Sequence, residues 1–170
     1  MLSDRWYRFV GWVGTVTWMR HLHAPVYRLT GGVGLVGRSL GNLTVVLATT
    51  GARTGQRRET AIWAYADGHA LVLVASNGGR HRVPGWHHNL RALPEAEVLL
   101  HREWRRVRAR DAVGTEYDRL WILVSGAYPG YNRYVEWAGR HIPLVVLEPW
   151  NVGAGDDAEA SAADGAEAAG

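Results

Sequence analysis

Apolar and polar positions along this chain fall into short blocks, most of them four to eight residues long with turn signals between them. Residues 43–49 (LTVVLAT) are rich in β-branched side chains, contain no breaker, and predict a buried strand. Residues 61–66 predict a second strand, and the Asp67-Gly68 pair behind them is a hairpin signal. Residues 69–76 (HALVLVAS) complete that hairpin. A short helix is predicted over 86–92, ended by Pro94. Residues 97–101 and 104–112 read as a further hairpin. Its second arm alternates arginine with valine or alanine, so one of its faces is solvated. Thr115 and Asp118 form a capping-box-like start for a helix over 116–126, with Leu120, Leu123 and Val124 on its apolar stripe. Residues 128–134 (YPGYNRY) predict a tyrosine-rich turn into a short helix, and 144–147 (LVVL) a closing strand stopped by Pro149. Some six short strands with hairpin links and few helices predict a mostly β fold, a small antiparallel barrel.

The two ends differ from this body. Residues 4–23 predict a helix capped by Ser3 or Asp4, with Trp6, Phe9, Val10, Val13 and Val16 at helical spacing. The uncharged run from Phe9 to Met19 is too short for a bilayer, which needs about 20 residues. Two readings stay open for it: an amphipathic helix docked on the domain or a second subunit, or a helix lying in the membrane interface through residues 1–23. Residues 24–42 are a connector with Pro25 and five glycines. Residues 151–170 are almost entirely small or acidic and predict disorder. The expected organisation is an N-terminal helix (1–24), a barrel domain (25–150) and an acidic Ala/Gly-rich tail (151–170).

Composition narrows the chemistry. The chain has no cysteine, which excludes disulfides, thiolate nucleophiles and Cys-ligated metal. With no secretory signal visible, a cytoplasmic location is expected. Formal net charge is +3, from 19 Lys+Arg against 16 Asp+Glu. Five of those acids lie in the tail, leaving 11 against 19 in the rest, about +8. Every one of these basic residues is arginine, the side chain suited to bidentate anion recognition. They form neither a dense run nor a periodic helix face, so nucleic acid is not an expected partner.

Two loops concentrate the candidate residues. Residues 47–58 (LATTGARTGQRR) run from a strand into a Gly-punctuated loop with Arg53, Arg57 and Arg58. Residues 74–89 (VASNGGRHRVPGWHHN) repeat the pattern with Arg80 and Arg82. Glycine lets backbone N–H groups approach a ligand, and guanidinium forks bind phosphate, so the pair suits an anionic small molecule. The first loop lacks the Gly-Lys-Ser/Thr of a Walker loop, and no GxGxxG opens a helix. His81, His87 and His88 lack an i,i+4 pair and a nearby carboxylate, so no metal site is expected. His87 and His88 are instead expected to donate hydrogen bonds at a helix N-terminus. Ser76 lacks a nucleophile elbow. A site with no nucleophile, metal or carboxylate pair borrows its chemistry from an organic cofactor. Tyr128, Tyr131 and Tyr134 would share a face on a helical turn, as core or as the lid of a pocket for a flat molecule.

These segments, with AYPGYNRY and RHIPLVVLEP, resemble the deazaflavin (coenzyme F420)-dependent nitroreductase family. The resemblance runs from Pro25 to Pro149 in order. It implies a split β-barrel of the FMN-binding, pyridoxine-phosphate-oxidase-like kind. It also implies coenzyme F420 as cofactor, with hydride transfer from C5 of the reduced deazaflavin to a quinone, nitro compound or similar flat acceptor. By position, Arg53 and Arg58 would grip the phosphate and oligoglutamate tail, with Thr54 and Gly55 shaping the loop. Ala61, Ile62 and Trp63 would run along the ring; Ser76 and Asn77 would lie near ring and acceptor. Trp86 and Asn89 would help close the groove, and Tyr128, Tyr131 and Tyr134 would stand over the acceptor. Ala52 occupies a commonly basic position, for which Arg57 would substitute, and Trp63 a position where tyrosine is frequent. Competing expectations are a non-catalytic deazaflavin- or lipid-binding protein, and an FMN or haem user on the same barrel.

Overall fold

The computed structural model describes residues 43–150; the readings made for residues 1–42 and for the tail lie outside the described residues. The elements are β1 (Leu43–Thr50), β2 (Arg57–Asp67), β3 (Ala70–Val74), α1 (Gly85–Ala92), β4 (Glu95–Leu100), β5 (Glu103–Asp111), α2 (Gly114–Ala127), α3 (Gly130–Ala138) and β6 (Leu144–Pro149). The six strands close into a barrel in the order β1-β2-β3-β6-β5-β4, and every pairing is antiparallel. Among the described residues no helix is long and apolar enough to cross a membrane.

Side chains alternate across a strand, which sorts the apolar residues into two cores. Val45, Leu47, Ala64, Leu73, Val98, Val107, Val145 and Leu147 fill the barrel, with Trp86 and Leu90 of α1 packed among them. Each large aliphatic side chain so buried contributes about 1.5–3 kcal/mol. The outward neighbours Tyr65, Val72, Val74, Leu144 and Val146 form a second core with Leu120 and Val124 of α2, Tyr128, and Tyr131 and Tyr134 of α3. Strands β3 and β6 are therefore apolar on both faces, which is why their sequences read as unbroken hydrophobic runs.

The structure moves some predicted boundaries. Strand β2 begins at Arg57, four residues before the apolar run, because Arg57–Glu59 pair with Thr50, Thr49 and Ala48 of β1. Ladder hydrogen bonds hold this polar stretch in the sheet. Helix α2 begins at Gly114 behind Val113, and no side chain caps it, so the Thr115/Asp118 capping box is not formed. Glu116 in its first turn is instead held by Arg110 of β5, at 2.6 and 2.8 Å.

Among the described residues the closed strand order still leaves one seam unpaired. Strand β2 pairs with β3 only from Ala64 to Asp67. From Arg57 to Trp63 it is paired, among the described residues, on the β1 side alone. The chain leaving β3 stays with β6 instead, the Ala75 N–H donating to Pro143 O at 2.9 Å. Two walls thus diverge, one carrying Ala61–Trp63 and the other Ser76–Arg82.

Two bidentate clamps tie helix α2 to the barrel. Arg119 holds Asp67 at the β2–β3 hairpin, with both contacts at 2.8 Å, and Arg110 holds Glu116. Each guanidinium keeps its partner's carboxyl below the usual carboxylate range through those hydrogen bonds. A folded-state pKa below the unfolded value stabilises the fold at pH above the unfolded pKa, and that stabilisation is lost as pH falls through the folded value. Melting temperature is expected to be flat from neutral pH to about 5 and to fall below about 4, where free carboxyls titrate. The slope is modest, because the pairs are partly solvated. A melting temperature unchanged down to about pH 3 would contradict this assignment.

Candidate active site

The first loop is a tight turn. Gly51 O accepts from the N–H groups of Thr54 and Gly55 at 3.1 and 2.8 Å, and the Gly51 N–H donates to Gln56 O at 2.8 Å. A Cβ on Gly51 would lie 2.8 Å from Thr54 Oγ1 and 3.2 Å from Gln56 O, so a side chain there would force the turn to shift. Thr54 Oγ1 also accepts from the Gln56 N–H at 3.4 Å. Gly55 sits at φ +64°, in the left-handed region, with nothing within 4 Å of its open side. Thr54 and Gly55 thus take part in the turn's own hydrogen bonds and backbone.

Its arginines divide into two kinds. Arg57 is neutralised: it binds Glu59 and Glu97 and stacks over Trp104 at 4.7 Å. It is not the free substitute expected for a basic residue at Ala52. Among the described residues the Arg58 guanidinium hydrogen-bonds the neutral Gln56 Oε1, at 3.0 Å, and no carboxylate. Arg53 and, in the second loop, Arg82 make no side-chain hydrogen bond or ion pair among the described residues. Two guanidinium groups without a carboxylate partner among the described residues, Arg53 and Arg58 on one glycine turn, fit an anionic tail.

The second loop has an unusual backbone. Asn77, Gly78 and Gly79 sit at φ 51°, 66° and 77°, three left-handed residues in a single turn of 3-10 helix behind Ser76. Asn77 Nδ2 donates to Arg82 O at 2.9 Å, closing the loop on itself. A Cβ on Gly79 would be 3.2 Å from both Tyr134 and Trp137, so glycine allows the loop to press against α3. Ser76 is buried beside this contact.

Helix α1 joins the two loops. Asn89 Oδ1 accepts from the Ala52 N–H and its Nδ2 donates to Thr49 Oγ1, both at 3.0 Å. Its carboxamide is thus a tether for the first loop rather than a free groove-closing group. Asn89→Ala should remove about 1–3 kcal/mol, from two hydrogen bonds of ordinary strength. It should also expose the Ala52 amide to rapid hydrogen exchange. Unchanged exchange at Ala52 would show that the tether holds nothing.

Trp86 is buried in the barrel core, its ring edge-on to His87. His87 departs from expectation. It is 4% exposed, and its Nε2 lies 2.9 Å from Asp111 Oδ1 at the end of β5. It faces inward, not toward a ligand at the helix N-terminus, and a carboxylate does orient it, from 24 residues away. His87 Nδ1 is buried without a hydrogen-bond partner among the described residues. No cluster of three potential ligands able to hold a metal occurs among the described residues.

On the opposite wall, Ile62 points into the barrel, so only its backbone can line the seam. Ala61 and Trp63 alternate to the outer face. Trp63 meets Tyr128 edge-on, with ring centroids 5.4 Å apart. Tyr128, Tyr131 and Tyr134 form one buried cluster with centroids 5.1–6.0 Å apart. Tyr128 and Tyr134 share a hydrogen bond of 3.2 Å, and Tyr65 donates to Tyr131 at 3.0 Å. Burial pushes the Tyr65 phenol up to about 12 and Tyr131 well above its ordinary value. Both stay protonated, as hydrogen-bond donors, across the physiological range. The tyrosines are packed in the second core, and Tyr134 abuts Gly79 of the second loop.

Sequence reasoning missed three participants. Tyr65 was legible in principle, since it lies two residues beyond Trp63 and so on the same strand face. Asp111 and Arg140 carried no local signal. Arg140 donates to the carbonyls of Ala75, Ser76 and Arg80 at 3.1, 3.2 and 3.2 Å. A second, open cleft of about 400 Å³ lies on the α2–α3 surface, lined by Tyr117, Trp121, Asn132, Val135, Glu136, His141 and Ile142. None of the expected site residues lines it.

Residues 18–149 match the family described as F420H(2)-dependent quinone reductase. The F420H(2)-dependent quinone reductase Rv1261c of Mycobacterium tuberculosis (strain H37Rv) is 37% identical over 131 residues, covering 74% of this chain and 87% of the relative. Among solved structures, an F420-H2 dependent reductase (FDR-A) superposes with TM-score 0.57 at 31% identity, over 62% of this chain and 93% of that one. Another, described as a domain-swapped dimer, gives TM-score 0.60 at 29% identity, over 77% and 97%.

Proposed function

We propose that this chain, which belongs to the F420H(2)-dependent quinone reductase family, carries out its hydride transfer in the open seam between β2 and the Ser76–Arg82 loop. Coenzyme F420 supplies the hydride, from C5 of its reduced deazaflavin, and a quinone takes it up. The observation that carries the placement is the seam itself. Among the described residues Ala61–Trp63 have no strand partner along one edge, and the wall opposite belongs to Ser76 and Asn77. A flat ring system fits between such walls.

Each part of the site then has a task. Arg53 and Arg58 hold the anionic tail at one end of the seam, on a turn that Asn89 fixes to α1. Ala61, Trp63 and the backbone of Ile62 form one face for the ring, and Ser76 and Asn77 flank the reacting end. Trp86 acts from below, by plugging the barrel so that α1 cannot shift. Tyr128, Tyr131 and Tyr134 border the acceptor side and exclude water. Reduction of a quinone needs one proton beside the hydride, and Tyr134, Ser76 or water delivers it to the quinone oxygen. Catalysis of this kind is chiefly positioning, with donor and acceptor atoms held at about 3–3.5 Å.

The test is anaerobic oxidation of reduced F420 by menadione, followed through recovery of deazaflavin fluorescence. Acceleration over the protein-free rate is expected. Tight binding without acceleration would leave a carrier of the deazaflavin, and no binding at all would sink the reading.

A further inference from the structure

Arg140 has no part in the mechanism above. It follows Gly139, the left-handed residue that ends α3, and precedes β6. Its guanidinium is surrounded by carbonyl oxygens. Nη2 donates to Ala75 O and Ser76 O at 3.1 and 3.2 Å, and to Arg82 O at 3.4 Å. Nε donates to Arg80 O at 3.2 Å, and Nη1 to His141 O at 2.9 Å. No carboxylate pairs with it among the described residues. Two further contacts join the same partners: His81 Nδ1 lies 2.8 Å from Ala138 O, and Gly79 abuts Tyr134 and Trp137. The loop 75–82 is thereby clamped to the C-terminal end of α3 at three points. That loop holds Asn77 at positive φ, a conformation that a non-glycine residue adopts at a cost, so outside contacts must maintain it.

We infer that Arg140 is a positioning residue for the hydride acceptor: by chelating the carbonyls of Ala75, Ser76, Arg80 and Arg82 it fixes the Ser76–Asn77 wall against the Tyr131/Tyr134 face of α3. This rests on the placement of the reaction in the seam. The cofactor's tail is held elsewhere, on a loop tethered by Asn89 that Arg140 does not touch. Loss of Arg140 therefore falls on acceptor geometry far more than on cofactor affinity. A displacement of about 1 Å in such a wall is enough to cost on the order of 100-fold in rate. Lysine is a poor replacement, because a single ammonium cannot span carbonyls that a planar fork reaches together.

The experiment compares wild type, Arg140→Ala and Arg140→Lys by three readouts: amide exchange of residues 75–82 without cofactor, F420 affinity by fluorescence, and menadione kinetics. Arg140→Ala should lose protection at the Gly79 and Arg80 amides, which bond Ser76 O and Asn77 O. Its F420 Kd should stay within about 3-fold of wild type, while kcat/KM for menadione falls at least ~10-fold. Guanidinium ion in the assay should restore part of that loss, and Arg140→Lys should fall between. Equal changes in cofactor Kd and menadione kcat/KM, or unchanged exchange, overturn the inference. If the alanine variant does not fold, the lysine variant carries the test by the same criteria. An inactive wild type overturns the functional reading and this inference with it; an active wild type with uniform losses overturns this inference alone.

Discussion

Replacing Arg53 and Arg58 together by alanine should raise the Kd for F420 by about 100-fold or more. Each charge-assisted hydrogen bond to the anionic tail is worth roughly 1.5–3 kcal/mol, and each single variant should cost at least ~10-fold. The effects should add, provided the two side chains do not share one oxygen of the tail. Salt should weaken wild-type binding much more than it weakens the double variant, because screening acts on the charges removed. Arg57→Ala is the internal control. It is one residue from Arg58, but Glu59, Glu97 and Trp104 already occupy its guanidinium. It should leave F420 affinity within about 3-fold and instead loosen the β1–β4 side of the barrel. If Arg57→Ala weakens binding as much as Arg58→Ala does, pairing within the loop does not decide which arginines bind.

Gly130→Ala should be among the most damaging single methyl additions in the described chain. Its Cβ would lie 2.5 Å from Tyr128 Cζ and 2.7 Å from Tyr128 Oη, far inside contact distance. Gly130 is the first residue of α3 and is buried, so the strain falls on the Tyr128 ring. Tyr128 would have to swing away, breaking its hydrogen bond with Tyr134 and its edge contact with Trp63. Overpacking of this kind costs about 1–3 kcal/mol, or roughly 4–10 °C in melting temperature for a domain of this size. Cofactor affinity should hold, since the arginine loop is remote from this cluster, and menadione KM should rise. Tyr128→Leu is destabilising alone, but with the ring gone the added methyl should cost little. The double variant should therefore be clearly less destabilised than the sum of the singles. Strict additivity would mean that Gly130 and Tyr128 do not meet.

Where hydrophobicity and local turn chemistry governed the chain, the sequence was a good guide. The Asp67-Gly68 hairpin and the two-sided apolar runs of β3 and β6 need no information beyond a few neighbouring residues. The start of β2 was missed because Arg57, Arg58 and Glu59 are held by a backbone ladder, which leaves no trace in side-chain polarity. The α2 cap was misread because Val113, and not Thr115, stands at the start of the helix, and the carboxylate of Glu116 is drawn to Arg110 on another element. Within the site, glycine and arginine marked both loops, but not which arginines were free. That depended on Glu97, 40 residues from Arg57. Asn89 was found, but its tether to Ala52 and Thr49 was not, since a carboxamide's partners lie in space and not in order. Arg140 was invisible for the strongest form of that reason. Most of its partners are main-chain carbonyls 58–65 residues away, and a carbonyl has no sequence signature.

The most direct test of the account is a co-crystal structure of the protein with oxidised F420. The deazaflavin should lie in the seam, one edge along the backbone of Ala61–Trp63 and the other facing Ser76 and Asn77. Its phosphate should fall within hydrogen-bond distance of Arg53 or Arg58. A ring seated in the Tyr117–Trp121 cleft on the α2–α3 surface, or a tail that reaches neither arginine, would contradict it.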